Sequence, residues 1–527
     1  MGSDSKSPNA NVGLAKSVGR NTIFGIFSNF TQVATRLVTV PIVISHLGLD
    51  GYGIWSIIMT TATYMRFGSV GVKTAFQKYV AEATGNNDFE RANKLLSTGF
   101  AIMLVLSLAG LIPLVFYSHR IAMTAGVPAR FLSSAAGAIS LLGGIFVLAN
   151  AGATYEAIVM GANRIDLVRK FATVLTILEA GGIIAVLHFG HGLFAMAAVM
   201  GASEIGYISV CYVAAKRVLP QVNLDRKFVD TGVIGELIRF AGSYQLLNIL
   251  EVLYASILPF AILRSFGATE SGVYAVINRV VASAAMIQES FLPSVLSGGA
   301  MVFASGSSER LRNLFVKSFR ATMALSLLPL GFISLFGGIM AYVWTGQYDP
   351  RFTLAFCLVC LTGLFRSFSL LAVVLYRTSG RAALDNLRQV VRIVIILGVV
   401  WISPQLGFYG VLTGLALAEF VGLIFMLSAL ARTFEVFHTR MLLPDLLRWI
   451  CSAVIILAFG WLAGHLPLPV ETGARVKASI QLVEITLACL LLAWPTLLLT
   501  RSLTKAESHA LVGNVWPRRN PKPSVVI

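Results

Sequence analysis

A succession of apolar runs separated by short polar turns is the feature that most constrains this chain. A helix needs about 20 apolar residues to cross a bilayer, and about fourteen such runs follow one another along the sequence. Backbone groups inside a bilayer find no water, so these runs must form helices. The sequence therefore predicts an all-α integral membrane protein with about fourteen transmembrane helices and no large soluble domain.

Composition excludes an ordinary soluble globule. The chain is 56% hydrophobic and 12% charged, with a mean hydropathy of +0.79, whereas soluble domains carry about 25% charged residues. The net charge of +17 is unevenly distributed, because most of the 41 Lys and Arg residues fall in loops on one side if the N-terminus is cytoplasmic. This is the positive-inside rule. It predicts a multi-pass protein with both termini cytoplasmic and no nucleic-acid partner.

The five cysteines give no sign of redox or metal chemistry. They lie in or beside apolar runs, where packing is their usual role. Cys357 and Cys360 have the spacing of a metal or redox pair, but no His or Asp lies near them within the same run. We predict neither a metal site nor a bound cofactor.

The chain contains an internal repeat. Sliding it against itself by 219 positions aligns similar residues at corresponding turns and spans. The matched pairs include Gly48 with Gly267, Gly53 with Gly272, Asp166 with Asp385, Arg169 with Arg388 and, after a four-residue shift, Glu204 with Glu419. Each repeat holds six spans, and an even number gives both halves the same orientation. The prediction is two parallel six-helix lobes facing a central cavity, a common transporter plan, plus two C-terminal helices.

The repeat sets the predicted organisation of the chain. In order it comprises a disordered cytoplasmic N-terminus (1–16), the first lobe (17–217), a cytoplasmic linker (218–235), the second lobe (236–432), two extra helices (433–500) and a disordered cytoplasmic tail (501–527). Predicted spans 1, 2, 7 and 8 carry polar stripes, whereas spans 3, 9, 11 and 13 carry almost none. We expect the first four to line the cavity.

Five cations fall inside predicted spans, where each would cost about 2.5–3.5 kcal/mol if it faced lipid. They are therefore expected to face protein or water, and two interpretations stay open. They pair with acids of other spans as packing devices, or they bind an anionic substrate; Lys73 has the third option of reaching the membrane surface. The guanidinium fork suits phosphate or pyrophosphate. The predicted substrate-binding residues are Arg36, Arg66, Lys73, Arg279 and Arg366.

Acidic residues inside the spans form a second group of candidates. Glu251, Glu289, Glu204 and Glu419 are predicted as cavity residues or as sites of coupling to a Na⁺ or H⁺ gradient. Glu204 and Glu419 share a repeat position, which favours helix packing as the alternative for both. No catalytic residue is predicted.

The run LGLDGYGIWS, continued by RFGSVGVKTAFQKYVAEATGNNDFERANKLLSTGF, resembles the opening signature of bacterial polysaccharide flippases. These belong to the multidrug/oligosaccharidyl-lipid/polysaccharide exporter superfamily, which includes the lipid II flippases, and the resemblance extends to about residue 430. It implies translocation of an undecaprenyl-pyrophosphate-linked oligosaccharide across the bacterial inner membrane by alternating access. The repeat unit would serve lipopolysaccharide, capsule or exopolysaccharide synthesis. Membrane lipids, a polysaccharide polymerase and a chain-length regulator are the implied partners.

One residue departs from the pattern of that family. Relatives commonly carry an acid just before the apolar-Gly pair of span 2, where this chain has Arg66-Phe67-Gly68. A coupling role for an acid at that point is in doubt here, and a further anion contact gains support.

Other functions stay open as alternatives. A lipid II-type flippase and a cation-coupled multidrug antiporter share the superfamily, but an antiporter for cationic drugs would need an anionic cavity. A membrane-embedded polysaccharide polymerase or ligase would be an enzyme with a large catalytic outer loop, whereas the outer connections here are short. A non-transporting scaffold is the fourth alternative.

Overall fold

The computed structural model describes residues 8–65, 79–84, 88–289, 308–346, 349–378, 383–433, 442–465 and 473–500, with a few further positions outside these ranges. Every regular element in this part of the chain is a helix. The α-helices are α1 (Pro8–Met65), α2 (Phe89–Thr124), α3 (Ala129–Gly161), α4 (Ile165–His188), α5 (Leu193–Val218), α6 (Ile234–Phe266), α7 (Ala268–Glu289), α8 (Ser308–Thr322), α9 (Leu328–Thr345), α10 (Arg351–Thr378), α11 (Ala383–Trp401), α12 (Ser403–Thr433), α13 (Leu443–Gly464) and α14 (Ala474–Leu499).

Eleven helical segments among the described residues are long and apolar enough to cross a membrane. This confirms the predicted all-helical multi-pass fold. Predicted spans 8 and 11 are also helices, α7 and α11, but their polar and charged residues keep them outside that apolar set. A π-turn at Met323–Leu327 joins α8 to α9, so that the two form one long span. The second half of predicted span 2 lies largely outside the described residues.

The chain packs as two compact units. The first comprises Met1–Val276 with Ile396–Phe408, and the second comprises Ile277–Ile395 with Tyr409–Ile527. Each unit has its own apolar core, built around buried side chains such as Phe76 and Leu96 in the first and Phe315 and Tyr376 in the second. The predicted lobes, 17–217 and 236–432, follow the repeat rather than this packing and stay a prediction.

Backbone conformation supports the internal repeat. Six glycines among the described residues have a positive φ, which glycine adopts without steric cost. They form three pairs separated by 219, 220 and 217 positions: Gly48 with Gly267, Gly126 with Gly346, and Gly190 with Gly407. In the first pair the conformations nearly coincide, with φ 72° and ψ 174° at Gly48 and φ 96° and ψ −177° at Gly267. The two halves therefore bend their chain at corresponding positions.

The first bend packs against the start of α7. A Cβ atom on Gly53 would lie 2.5 Å from the carbonyl oxygen of Ala268, and Gly272 has no room for a side chain either. Next to this close backbone contact, the hydroxyl of Thr269 donates to Asp50 Oδ1 over 2.6 Å. These contacts fix the first turn of α7, the helix that carries Arg279.

The predicted linker is held on α2 by buried polar side chains. Asn93 donates from Nδ2 to the carbonyl of Gln221 (3.2 Å) and accepts from the backbone N–H of Asn223 (2.9 Å). Five residues further along α2, the Thr98 hydroxyl accepts from the backbone N–H of Asp230 over 2.9 Å. Asn93 and Thr98 are both buried. The connection between α5 and α6 is thus a fixed part of the first unit.

Candidate functional site: charged residues within the helices

The structure describes the side chains of two of the five predicted substrate-binding residues. Arg279 lies on α7 and Arg366 on α10, and both are half-buried. Arg36 lies in α1, but its side chain is outside the description. Arg66 and Lys73 lie outside the described residues altogether. The described part of the candidate site therefore lies on α7 and α10.

Arg279 lies on α7, a predicted span, with part of its hydrogen-bonding capacity unused. Its Nε is buried and makes no hydrogen bond with any residue that the structure describes. Its backbone carbonyl accepts from the hydroxyl of Ser283, one turn further along α7, over 2.8 Å. A buried donor without a partner costs about 1–3 kcal/mol, and more when the group is charged. An anion that met this guanidinium would recover that cost.

Arg366 lies beside Glu289 at the end of α7. Its Nη2 is 3.6 Å from Glu289 Oε1, and the two side chains keep 36% and 43% of their surface exposed. The neighbouring Gln288 donates from Nε2 to the carbonyl of Ser367 over 3.1 Å, and both of these residues are buried. This buried hydrogen bond fixes α7 against α10 and thereby places Glu289 at Arg366. An ion pair with this exposure contributes about 0.2–1 kcal/mol.

Arg279 and the Glu289–Arg366 contact lie at different depths along α7. Ten residues separate Arg279 from Glu289, which corresponds to about 15 Å of helix at 1.5 Å per residue. We call Arg279, Arg366 and Glu289 the α7–α10 cation group, and it offers two separate contact points for an anion.

The predicted coupling acids have different surroundings. Glu251 is exposed on α6, and Glu204 is half-buried on α5. Glu289 faces Arg366, as described above. Glu419 is fully buried on α12 and accepts a hydrogen bond from Arg392 Nη2. That pair belongs to a larger cluster that the sequence analysis missed.

The expectation that span 11 carries almost no polar residues is wrong. α11 begins at Ala383, so Asp385, Arg388 and Arg392 lie inside the helix, and all three are at most 2% exposed. Because these charges come directly after a polar turn and before the apolar run, the sequence pattern placed them in the loop. Their spacing of three and four residues was a signal in the sequence, since it puts them on one helical face.

One hydrogen bond and one ion pair link α11 to α10 and α12 through this face, and a second ion pair lies within α11. Arg388 donates from Nε and Nη2 to Asp385 Oδ1 (3.1 and 2.9 Å) and from Nη1 to the hydroxyl of Ser369 on α10 (3.2 Å). Arg392 pairs with Glu419 of α12. We call Asp385, Arg388, Arg392 and Glu419 the buried charge network. Its charges balance, which is typical of a structural role rather than of a binding site.

Room for the network comes from a glycine on α12. A Cβ on Gly422 would lie 3.2 Å from Cδ of Arg392 and 3.7 Å from Cγ of Arg388. Without a side chain at Gly422, both arginine stems lie directly against the α12 backbone. The three helices are thereby packed closely around four buried charges.

Comparison with known proteins shows a shared fold. Residues 25–183 match the MatE family model. The chain is 23% identical over 317 residues to the uncharacterized membrane protein EpsK of Bacillus subtilis (strain 168), a match that covers 58% of this chain and 61% of EpsK. The curated relative is thus matched over less than two thirds of its own length.

Solved structures share the fold over more of the chain. The lipid II flippase MurJ in its inward closed conformation is similar with a TM-score of 0.68 and 12% identity, over 90% of this chain and 98% of MurJ. The inward-facing conformation of a multidrug resistance MATE family transporter of the MOP superfamily is similar with a TM-score of 0.65 and 15% identity, over 77% of this chain and 95% of the transporter. At these identities the likeness shows the fold, and the two similar proteins are a flippase and a transporter rather than enzymes.

Proposed function

We propose that this protein flips an undecaprenyl-pyrophosphate-linked oligosaccharide repeat unit across the bacterial inner membrane by alternating access. The observation that carries the proposal is Arg279, a guanidinium on the predicted span α7 whose buried Nε has no described partner. A diphosphate supplies the paired oxygen acceptors that an arginine fork fits. The sequence resemblance to polysaccharide flippases and the fold shared with MurJ support a lipid-linked cargo.

This function requires the chain to bind its substrate and to release it. The polyprenyl tail stays in lipid, while cations hold the diphosphate and shield it from the apolar interior. Arg279 and Arg366 are the described residues assigned to this task, and Arg36, Arg66 and Lys73 stay their predicted partners. The pairing of Glu419 with Arg392 favours helix packing for that acid. Coupling to Na⁺ or H⁺ through Glu251 or Glu204 stays a prediction.

The proposed sidedness follows from the distribution of charge in the sequence. In a variant without the five native cysteines, an impermeant thiol reagent applied to intact cells should label His191→Cys. It should not label Arg226→Cys, because the linker is expected to face the cytoplasm. Both positions are exposed, so the difference reports sidedness rather than burial. Labelling of Arg226→Cys alone would show that the orientation is reversed.

Transport in proteoliposomes tests the proposed cargo. We expect the purified chain to move an undecaprenyl-pyrophosphate-linked oligosaccharide between leaflets, measured as its loss from the face that an added sugar-cleaving enzyme can reach. The same oligosaccharide on a single phosphate should move much more slowly, because one phosphate offers fewer oxygen acceptors to the arginine forks. Vesicles without protein set the baseline.

A cationic dye in the same vesicles tests the second candidate. The fold shared with a multidrug MATE transporter makes a multidrug antiporter the alternative. Export of the dye without movement of the diphosphate lipid would reject the flippase proposal and support the antiporter.

A further inference from the structure

The contact between Glu289 and Arg366 is longer and more exposed than the bidentate arginine–carboxylate pair between Arg320 and Asp445 in the second unit. Arg320 binds Asp445 through two hydrogen bonds of 2.9 and 3.2 Å, and these side chains are 26% and 10% exposed. By contrast, Arg366 Nη2 and Glu289 Oε1 are 3.6 Å apart, beyond hydrogen-bond distance, and both side chains are partly exposed. A pair of this kind is readily exchanged for another anion.

The position of the pair along α7 gives it a place in the transport path. α7 begins at the turn that packs against Gly53, on the side predicted to face outward, and it ends at Glu289. With the predicted orientation, Arg366 and Glu289 are therefore near the cytoplasmic side, about 15 Å along the helix from Arg279. A diphosphate arriving from the cytoplasmic leaflet would meet Arg366 before Arg279.

We propose that Arg366 is the first contact site for the substrate diphosphate and that Glu289 is its intramolecular counter-ion. This inference rests on the proposed function and adds an order of contacts to it. Glu289 neutralises Arg366 while no substrate is present, and the diphosphate replaces it on arrival. When the diphosphate moves on to Arg279, Glu289 takes Arg366 back, so the substrate is not trapped at the first site.

The hydrogen bond between Gln288 and Ser367 makes this exchange local. Because that bond is buried and fixes α7 against α10, Glu289 can leave Arg366 without separating the helices. The counter-ion thus moves by side-chain rotation alone. Glu289 thus sets the affinity of Arg366 for the diphosphate and the release of the diphosphate from it, while the backbone of α7 stays in place.

Binding of inorganic pyrophosphate to the full chain in lipid nanodiscs, measured by calorimetry, tests the proposal. Glu289→Gln should tighten binding about two- to sixfold, because it removes a carboxylate that competes for Arg366 with an energy of about 0.2–1 kcal/mol. Arg366→Ala should weaken binding, and adding Glu289→Gln to it should then have no effect. Glu309→Gln removes an exposed carboxylate from the first turn of α8 and should match the parent.

Each result decides one point. If the parent protein does not bind pyrophosphate, the proposed function loses its anion site. If the parent binds but Glu289→Gln binds equally or more weakly, the counter-ion role is rejected while the proposed function stands. Equal tightening with and without Arg366 would show a long-range charge effect and would also reject it.

Discussion

Replacing Glu419 with alanine should lower the free energy of unfolding by roughly 3–5 kcal/mol, the usual cost of leaving a buried charge without its counter-ion. Arg392, its partner, is 2% exposed and lies in the interior of the second unit. The guanidinium cannot turn to water from this position. Its charge would stay buried against Gly422 without the carboxylate that now compensates it.

The comparison variant removes both charges. Arg392→Met with Glu419→Leu should recover most of the lost stability, because two apolar side chains of similar volume replace the pair without leaving a charge behind. Thermal unfolding of the purified protein in detergent measures both changes, and Glu309→Ala, which removes an exposed carboxylate, is the control. If Glu419→Ala unfolds at the same temperature as the parent, the pair carries no stability and Glu419 becomes a candidate for ion coupling again.

The Arg392–Glu419 pair has no counterpart at the matching position of the first half. At the position of Arg392 the first half has Thr173, whose hydroxyl donates to the carbonyl of Arg169 in its own helix over 2.8 Å. The first half thus satisfies this position within its own helix, whereas in the second half Arg392 pairs with Glu419 and joins α11 to α12. This asymmetry is a reason to expect that the helices α10, α11 and α12 move together, with the α7–α10 cation group attached to them.

The sequence predicts the elements of this fold well and their contacts poorly. Long apolar runs determine helices because the bilayer leaves the backbone no other partner, and repeat-related glycines such as Gly48 and Gly267 mark the bends. The docking of the linker on α2 could not be predicted. In the sequence, Asn93 and Thr98 look like any polar residues near the start of a helix. Their role depends on backbone groups more than 120 residues away.

The candidate site shows the same division. The sequence pattern identified Arg279 and Arg366 as cations within spans. The free energy of placing a charge in lipid depends only on that residue and its sequence neighbours, so the sequence alone reveals it. That Glu289 is the acid facing Arg366 depends on the packing of α7 against α10, which periodicity does not contain. The charges of α11 were missed because the first turn of a helix and the end of a loop look alike in sequence.

Replacing Arg279 with alanine should reduce transport of the diphosphate-linked oligosaccharide about 10- to 150-fold, the loss expected for charge-assisted hydrogen bonds of about 1.5–3 kcal/mol. Arg279→Lys should restore part of the rate, because lysine keeps the charge but loses the planar fork that binds two oxygens. Rates are compared in proteoliposomes at matched protein amounts.

A structural role for Arg279 predicts a different pattern from a binding role. Because its buried Nε makes no hydrogen bond with a described residue, alanine breaks no hydrogen bond at that atom and should not lower the unfolding temperature. Arg217→Ala removes an exposed cation at the end of α5 and should leave both transport and stability unchanged. Full transport by Arg279→Ala would reject this residue as a substrate contact. Lost transport together with a lowered unfolding temperature would instead assign Arg279 to packing, since a pure substrate contact changes the rate and leaves the fold intact.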